Sequence, residues 1–510
     1  MVSLAKRLLI GKPIATSEEH HQRLPKRVAL PVFASDPISS TAYATDEILI
    51  VLVAGAGIGA LAWGRLVPMA IVVAVLLTIV VTSYRRTIHA YPGGGGAYVV
   101  SRDNLGEIPS LVAGASMLVD YILTVAVSIA GGVLAIQSAA GFDVEWRVPL
   151  CLVLIGMMAT ANLRGVRESG TLFAPPTYLY VTMLALLIGV GLYRVYFKDL
   201  GPIPLENLSD EGRELAEGTQ ALGLLMLLRA FSSGAIALSG TEAVADGVPA
   251  FRKPESRNAA TTLTIMASIL GSGFLGISIL ASKLHPYRGE EDPTGIAMMA
   301  EHIYGGKGVL FWVTQIATFA ILVLAANTGF ADFPRLSSII ARDGFLPRQL
   351  TNRGDRLVFS NGILFLAVLA GLLIVVFEGN ISALIPLYAF GVFTAFTLSQ
   401  AGMVVRTLRL RPPRWQVQVA ISGVGSVATG AVATVVVVSK FTNGAWIPAA
   451  VIPLFVFGFR AIKGHYRTVR AAVSVEPDYK PARHTHTVVI LVGTVHRGVL
   501  EAVQYARELA

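Results

Sequence analysis

The chain has 510 residues, of which 54% are hydrophobic and only 14% charged, and its mean hydropathy is +0.64. This composition excludes a soluble globular domain and a disordered chain, and indicates an integral membrane protein. The single Cys151 rules out a disulfide framework, a thiolate metal site and a CxxC redox pair. Its apolar neighbours make it a packed small hydrophobe. The net charge of +9 resembles a nucleic-acid signal until its placement is considered.

Residues 1–27 are polar and basic (Lys6, Arg7, Lys12, Arg23, Lys26, Arg27) and lack the apolar core of a signal peptide, so they read as a cytoplasmic N-terminal tail. Twelve apolar segments follow, at about 28–55, 66–90, 109–138, 147–161, 171–196, 220–248, 259–282, 308–332, 360–377, 380–403, 417–438 and 444–462. A barrel would read as alternating short strands, so an all-α bundle of twelve transmembrane helices over 28–462 is predicted. With the N-terminus inside, Arg85/Arg86, Arg164/Arg167, Arg252/Lys253/Arg257, Arg335 through Arg356, Arg406 through Arg414 and Arg460 through Arg470 share one side. That is the positive-inside bias. The opposite loops carry Asp199, Glu206, Asp210, Glu211, Glu214 and Glu217, then Glu290, Glu291 and Asp292. A multi-pass cell-membrane protein with both termini cytoplasmic is therefore expected, and the +9 outlines a membrane face, with no nucleic-acid partner.

The first apolar segment contains Ser35-Asp36-Pro37-Ile38-Ser39-Ser40-Thr41-Ala42-Tyr43. Pro37 has no N–H to donate and biases Asp36 away from helical geometry, and the Ser and Asp side chains compete for backbone hydrogen bonds. A break at Asp36 is predicted. The sixth segment carries Ser232-Ser233-Gly234 and Leu238-Ser239-Gly240-Thr241-Glu242-Ala243 inside an apolar run. Two interrupted helices five spans apart point to a transporter of inverted five-helix repeats, whose site lies at the midplane. Either interruption alone reads as a Gly/Ser kink.

In the third segment Asp120, Thr124 and Ser128 recur every fourth residue, so one helix face presents a carboxylate and two hydroxyls to the bundle interior. Asp36, Asp120 and Glu242 together repel unless a metal cation, an ammonium or a proton lies among them. Hard monovalent cations take such carboxylate, hydroxyl and carbonyl oxygens in a flexible cage. Tyr43, two turns past Asp36, supplies a hydroxyl or an aromatic wall. Glu242, where its helix resumes, suits proton exchange. Asp46, Glu47 and Asp246 serve transport or simply meet water at a vestibule, and Arg229 is a counter-ion or a snorkelled side chain. The loop from His89 to Tyr98 lacks a GK[ST] ending and a preceding strand, so it reads as a re-entrant or gate loop, not a phosphate cradle. Nine scattered His without HExxH give no support to a membrane enzyme, and no cofactor is called for.

Beyond 463 the chain turns polar and Pro-punctuated (Glu476, Pro477, Pro481), a linker over 463–484. His484-Thr485-His486 and the following Val-Val-Ile-Leu-Val read as a strand end and strand, and Val495–Ala510 as an amphipathic helix. Residues 485–510 are accordingly expected to begin a cytoplasmic α/β domain in which the chain stops.

These residues resemble the amino acid–polyamine–organocation superfamily and, within it, the KimA-type potassium importers related to the KUP family. The resemblance runs from Leu9-Ile10-Gly11-Lys12-Pro13 through the twelfth segment. It is carried by Ser35–Tyr43, Tyr91–Tyr98, Asp120–Ser128, Ala325–Phe330 and Ile385–Ala389. It implies a LeuT-like fold of ten helices plus two, potassium uptake by proton symport, and a homodimer joined through C-terminal domains that respond to cyclic di-AMP. Its cation site falls on Asp36, Tyr43, Asp120, Thr124 and Ser128, with Ser239 keeping a hydroxyl of the sixth-span motif and Glu242 as the proton-coupling acid. The added Thr241 hydroxyl departs from the family pattern. The rival is an amino acid or polyamine permease of the same superfamily, whose first break holds a substrate carboxylate on backbone N–H groups. An acid at position 36 opposes that carboxylate.

Overall fold

The computed structural model describes residues 23–56, 60–204, 223–287, 293–354, 356, 358–474 and 489–509. Most of the basic tail, the acidic runs Glu206–Glu217 and Glu290–Asp292, the linker residues 475–484 and residues 485–488 at the start of the expected strand lie outside the described residues. The helices are α1 (Lys26–Ser39), α2 (Ala44–Ala56), α3 (Ala60–Ala90), α4 (Gly96–Asn104), α5 (Glu107–Ala140), α6 (Arg147–Leu163), α7 (Val166–Phe197), α8 (Leu224–Gly234) and α9 (Ala243–Asp246). They continue as α10 (Glu255–Leu284), α11 (Gly295–Tyr304), α12 (Val309–Arg342), α13 (Ser360–Val376), α14 (Ile381–Leu410), α15 (Trp415–Lys440), α16 (Trp446–Ala472) and α17 (Arg497–Leu509). Among the described residues there is no strand, only one bridge between Leu24 and Phe251. The protein is an all-helical, multi-pass membrane protein, with ten segments among the described residues long and apolar enough to cross a bilayer.

The first and sixth apolar segments are each interrupted, but not quite where the sequence suggests. α1 runs through Asp36-Pro37 to Ser39, and the break falls at Ser40–Tyr43, a 3-10 turn ending at Tyr43 with φ −131°. The helix survives its proline because Pro37 removes only one backbone donor. The Ser40 N–H still reaches the Asp36 carbonyl, and the Ser39 and Ser40 hydroxyls donate to the same oxygen at 2.8 and 3.3 Å. α8 ends at Gly234, a 3-10 turn covers Ala235–Leu238, and the chain then opens at Ser239 (ψ 155°) and Gly240 (φ +72°) before α9. A left-handed φ at that point needs glycine.

Burial orders the layers. α5 is the central helix, with 89% of its most apolar window buried, whereas α6, α7 and α16 bury 22, 22 and 17% of theirs. The outward faces of those three carry exposed Met157, Leu179 and Phe457 respectively, as lipid contact requires. α5 packs closely on α12 and α14 because small residues let the backbones approach. A Cβ on Gly329 would lie 2.8 Å from the Tyr121 carbonyl, and one on Gly391 3.0 Å from that of Ser116. α12 continues well past the segment end expected at 332, so Arg335 belongs to a helix and not to a basic loop. Cys151 is buried, as its neighbours imply.

Residues Gly464–Ala510 form a separate compact unit. Within it α17 is amphipathic, as expected, while the described Val489–Val492 carry no strand.

Candidate functional site

The two breaks meet. A Cβ on Gly240 would overlap the Asp36 carboxylate and lie 2.7 Å from the Pro37 Cδ, so the backbone of the second break rests against the last turn of α1, just before the first break. The Tyr43 hydroxyl is 3.0 Å from Ser40 Oγ and, with Tyr388 of α14, faces Ser239. Tyr388 ties the remaining helix to the site: Thr124 Oγ1 of α5 donates to its hydroxyl at 3.2 Å, and Asp36 and Asp120 are its charged neighbours. Ser128 lies one turn further along α5 and is buried, as is Thr124. Asp120 is partly exposed, with its Oδ1 turned inward.

Three buried oxygens in this region, Asp36 Oδ1, Asp120 Oδ1 and Ser239 Oγ, have no hydrogen-bond partner among the described residues. A buried polar atom left unsatisfied costs about 1–3 kcal/mol, more when charged. All three donors are hard and two are carboxylates, so the arrangement suits a hard cation or a proton. The i, i+4, i+8 face of α5 does turn inward, and the first and sixth segments do come together.

Glu242 adjoins this group, since Asp36 and Glu242 are both charged neighbours of Asp120, and it brings further partners. Its Oε1 accepts from the Ala97 N–H at 2.6 Å, at the start of α4, and Tyr84 lies beside it. The Tyr121 hydroxyl donates to Asp246 Oδ2. Asp332 of α12 is a further charged neighbour of both acids, and its Oδ1 accepts from Arg335 at 2.7 Å. The glycine-rich loop is thus packed: Gly94, Gly95 and Gly96 are buried, and a Cβ on Gly96 would overlap Asp246. The loop covers the sixth-segment acids, an arrangement that sequence reading did not anticipate. Among the described residues no three His, Cys, Asp or Glu side chains converge as a metal site.

The other acids and cations separate. Asp46 Oδ2 accepts from the Gly295 N–H at the start of α11, at 2.8 Å. Arg229 donates to the Ser439 carbonyl at 2.8 and 2.6 Å, so its contact is with α15 and not with Asp36. Sequence reading missed Tyr388, Tyr121 and Asp332. Tyr388 lay in a recognisable block without a role, and Asp332 was taken for the end of its span. Only the fold sets them beside the acids.

A bundle with two facing interruptions and inward carboxylates is the construction of a membrane permease. The amino acid permease family profile matches residues 29–458, and the chain belongs to that family. It is similar to the potassium transporter KimA of Bacillus subtilis (strain 168), with 42% identity over 508 residues, which cover 99% of this chain and 81% of that relative.

Proposed function

We propose that the protein imports potassium by proton symport, through alternating access of the site between the two breaks. The observation that carries this reading is the group of orphaned hard oxygens, Asp36 Oδ1, Asp120 Oδ1 and Ser239 Oγ, beside the Tyr43 and Tyr388 phenols. The similarity to a potassium transporter supports it. Potassium binds among Asp36, Tyr43, Asp120 and Thr124, with Ser128 and Ser239 completing the oxygen set as the cage changes shape. Glu242 takes up and releases the coupled proton, its carboxylate held by Ala97 and surrounded by Asp246 and Asp332. No resident cofactor takes part.

Counting α1–α2 as one interrupted crossing and α13 as a short one brings the ten longer segments to twelve, read as two inverted sets of five plus two in a LeuT-like arrangement. Both termini are placed in the cytoplasm of a cell-membrane protein. Residues 1–27 act as a tail, 463–484 as a linker and 485–510 as part of a cytoplasmic α/β domain. Dimerisation and a cyclic di-AMP response through that domain follow from the family resemblance.

A proton-coupled amino acid or polyamine permease is the alternative. At the first break, however, the Ser40 N–H already donates to the Asp36 carbonyl and the Tyr43 N–H to that of Ser40. These two backbone donors are therefore engaged there, and an acid, Asp36, stands one turn before the break. The deciding experiment is growth of a potassium-uptake-deficient bacterium on limiting potassium. The wild type should rescue growth, and Asp36→Asn or Asp120→Asn should not. No rescue by the wild type, together with uptake of labelled amino acids, would replace potassium with the alternative.

A further inference from the structure

A cavity of about 200 Å³ lies one helical turn from Tyr43 and Tyr388 of the proposed cation site. Glu47, Arg229, Ser233, Ile385, Pro386 and Lys440 are among its lining residues. The cavity is lined by α2, α8 and α14, which run next to Tyr43, Ser239 and Tyr388 of the site, and by α15. The Glu47 N–H donates to the Tyr43 carbonyl at 3.0 Å, which places Glu47 one turn beyond Tyr43. Ser233 stands two residues before the turn that leads to Ser239. Ile385 and Pro386 stand one turn before Tyr388 on the same helix. The cavity thus forms a vestibule beside the Tyr43 and Tyr388 side of the site, between the first turns of α2 and the end of α15.

An unusual residue projects into it. Lys440 is 5% exposed, in a position where an ammonium is costly unless paired. Its Nζ donates to Ser233 Oγ at 2.7 Å, and Glu47 and Arg229 are its charged neighbours. Arg229 is meanwhile clamped on the carbonyl of the adjoining Ser439. α15 therefore delivers a fixed positive charge between the two interrupted segments, next to an acid that is also a neighbour of Tyr43.

We propose that Lys440 is a built-in competitor cation: its ammonium holds the vestibule position through which the transported cation reaches Asp36, shares the Glu47 carboxylate with it, and so sets the external concentration at which uptake saturates. The proposal rests on the cation-transport reading above. Removing the ammonium takes one competing cation away from Glu47, so saturation shifts to lower concentration. Removing Glu47 shifts it upward.

The test is rubidium uptake by the full chain in proteoliposomes, as a function of external rubidium. Lys440→Met is expected to lower the half-saturation concentration at least threefold, Lys440→Arg to leave it near wild type, and Glu47→Gln to raise it. To separate charge from packing, Lys440→Cys in a Cys151→Ala background is treated with aminoethyl or methyl methanethiosulfonate. The aminoethyl adduct should restore the higher value and the methyl adduct should not. Equal half-saturation for the two adducts, or for Lys440→Met and wild type, overturns the proposal. Absence of rubidium uptake by the wild type instead overturns the cation-transport reading on which it rests.

Discussion

Gly240→Ala probes the junction of the two breaks directly. The residue has φ +72°, a conformation that costs an L-residue about 1–2 kcal/mol. Its new Cβ would overlap the Asp36 carboxylate and sit 2.7 Å from the Pro37 Cδ. The carboxylate can rotate aside, but the proline ring is fixed to the α1 backbone. Overpacking of this kind adds about 1–3 kcal/mol. At about 1.4 kcal/mol per factor of ten, the sum of about 2–5 kcal/mol amounts to more than tenfold. It falls either on cation binding, as a raised half-saturation concentration, or on the fold, as a lowered Tm. Rubidium uptake in proteoliposomes and thermal melting in detergent read the two separately. Gly64→Ala on α3, whose Cβ meets nothing within 4 Å, is the control and should match or exceed wild-type stability. A Gly240→Ala protein with wild-type saturation and wild-type Tm would refute the contact between the breaks.

Tyr388→Phe removes the hydroxyl that accepts from Thr124. A net hydrogen bond of about 0.5–1.5 kcal/mol implies a roughly two- to tenfold higher half-saturation concentration with little change in Tm, and unchanged uptake would remove the phenol from the site. Glu242→Gln should abolish potassium-dependent acidification of proteoliposomes while the protein still folds, and full proton movement in this variant would exclude Glu242 as the coupling acid. Gly329→Val forces a branched side chain against the Tyr121 carbonyl and Val125, each 2.8 Å from where the Cβ would lie. A fall in Tm is expected from overpacking of about 1–3 kcal/mol, and an unchanged melting curve would count against the close α5–α12 approach.

Much of the membrane architecture is legible because bilayer insertion is written locally: a long apolar run with polar ends reports itself without tertiary context. The helices α5, α10, α13 and α15 lie within a few residues of their expected segments. Interruptions are also local, since prolines, serines and a glycine at the breaks perturb backbone hydrogen bonding wherever they occur. Asp36, Asp120 and Glu242 stand out by the same rule, as acids inside apolar spans.

What required the folded chain was partnership. α1 passes through Pro37 because the Ser39 and Ser40 hydroxyls and the Ser40 N–H converge on one carbonyl, a balance that no propensity expresses. Glu242 meets Asp246 and the α4 N-terminus as well as Asp120, partners that the sequence does not name. Tyr388 and Lys440 come from helices hundreds of residues away from α1. Sequence alone determined that this is a helical membrane protein with two broken spans and inward acids, since hydropathy and backbone chemistry are properties of neighbouring residues. The tertiary structure decided which oxygens face one another, because that depends on how close three helices can pack and on which side each break turns.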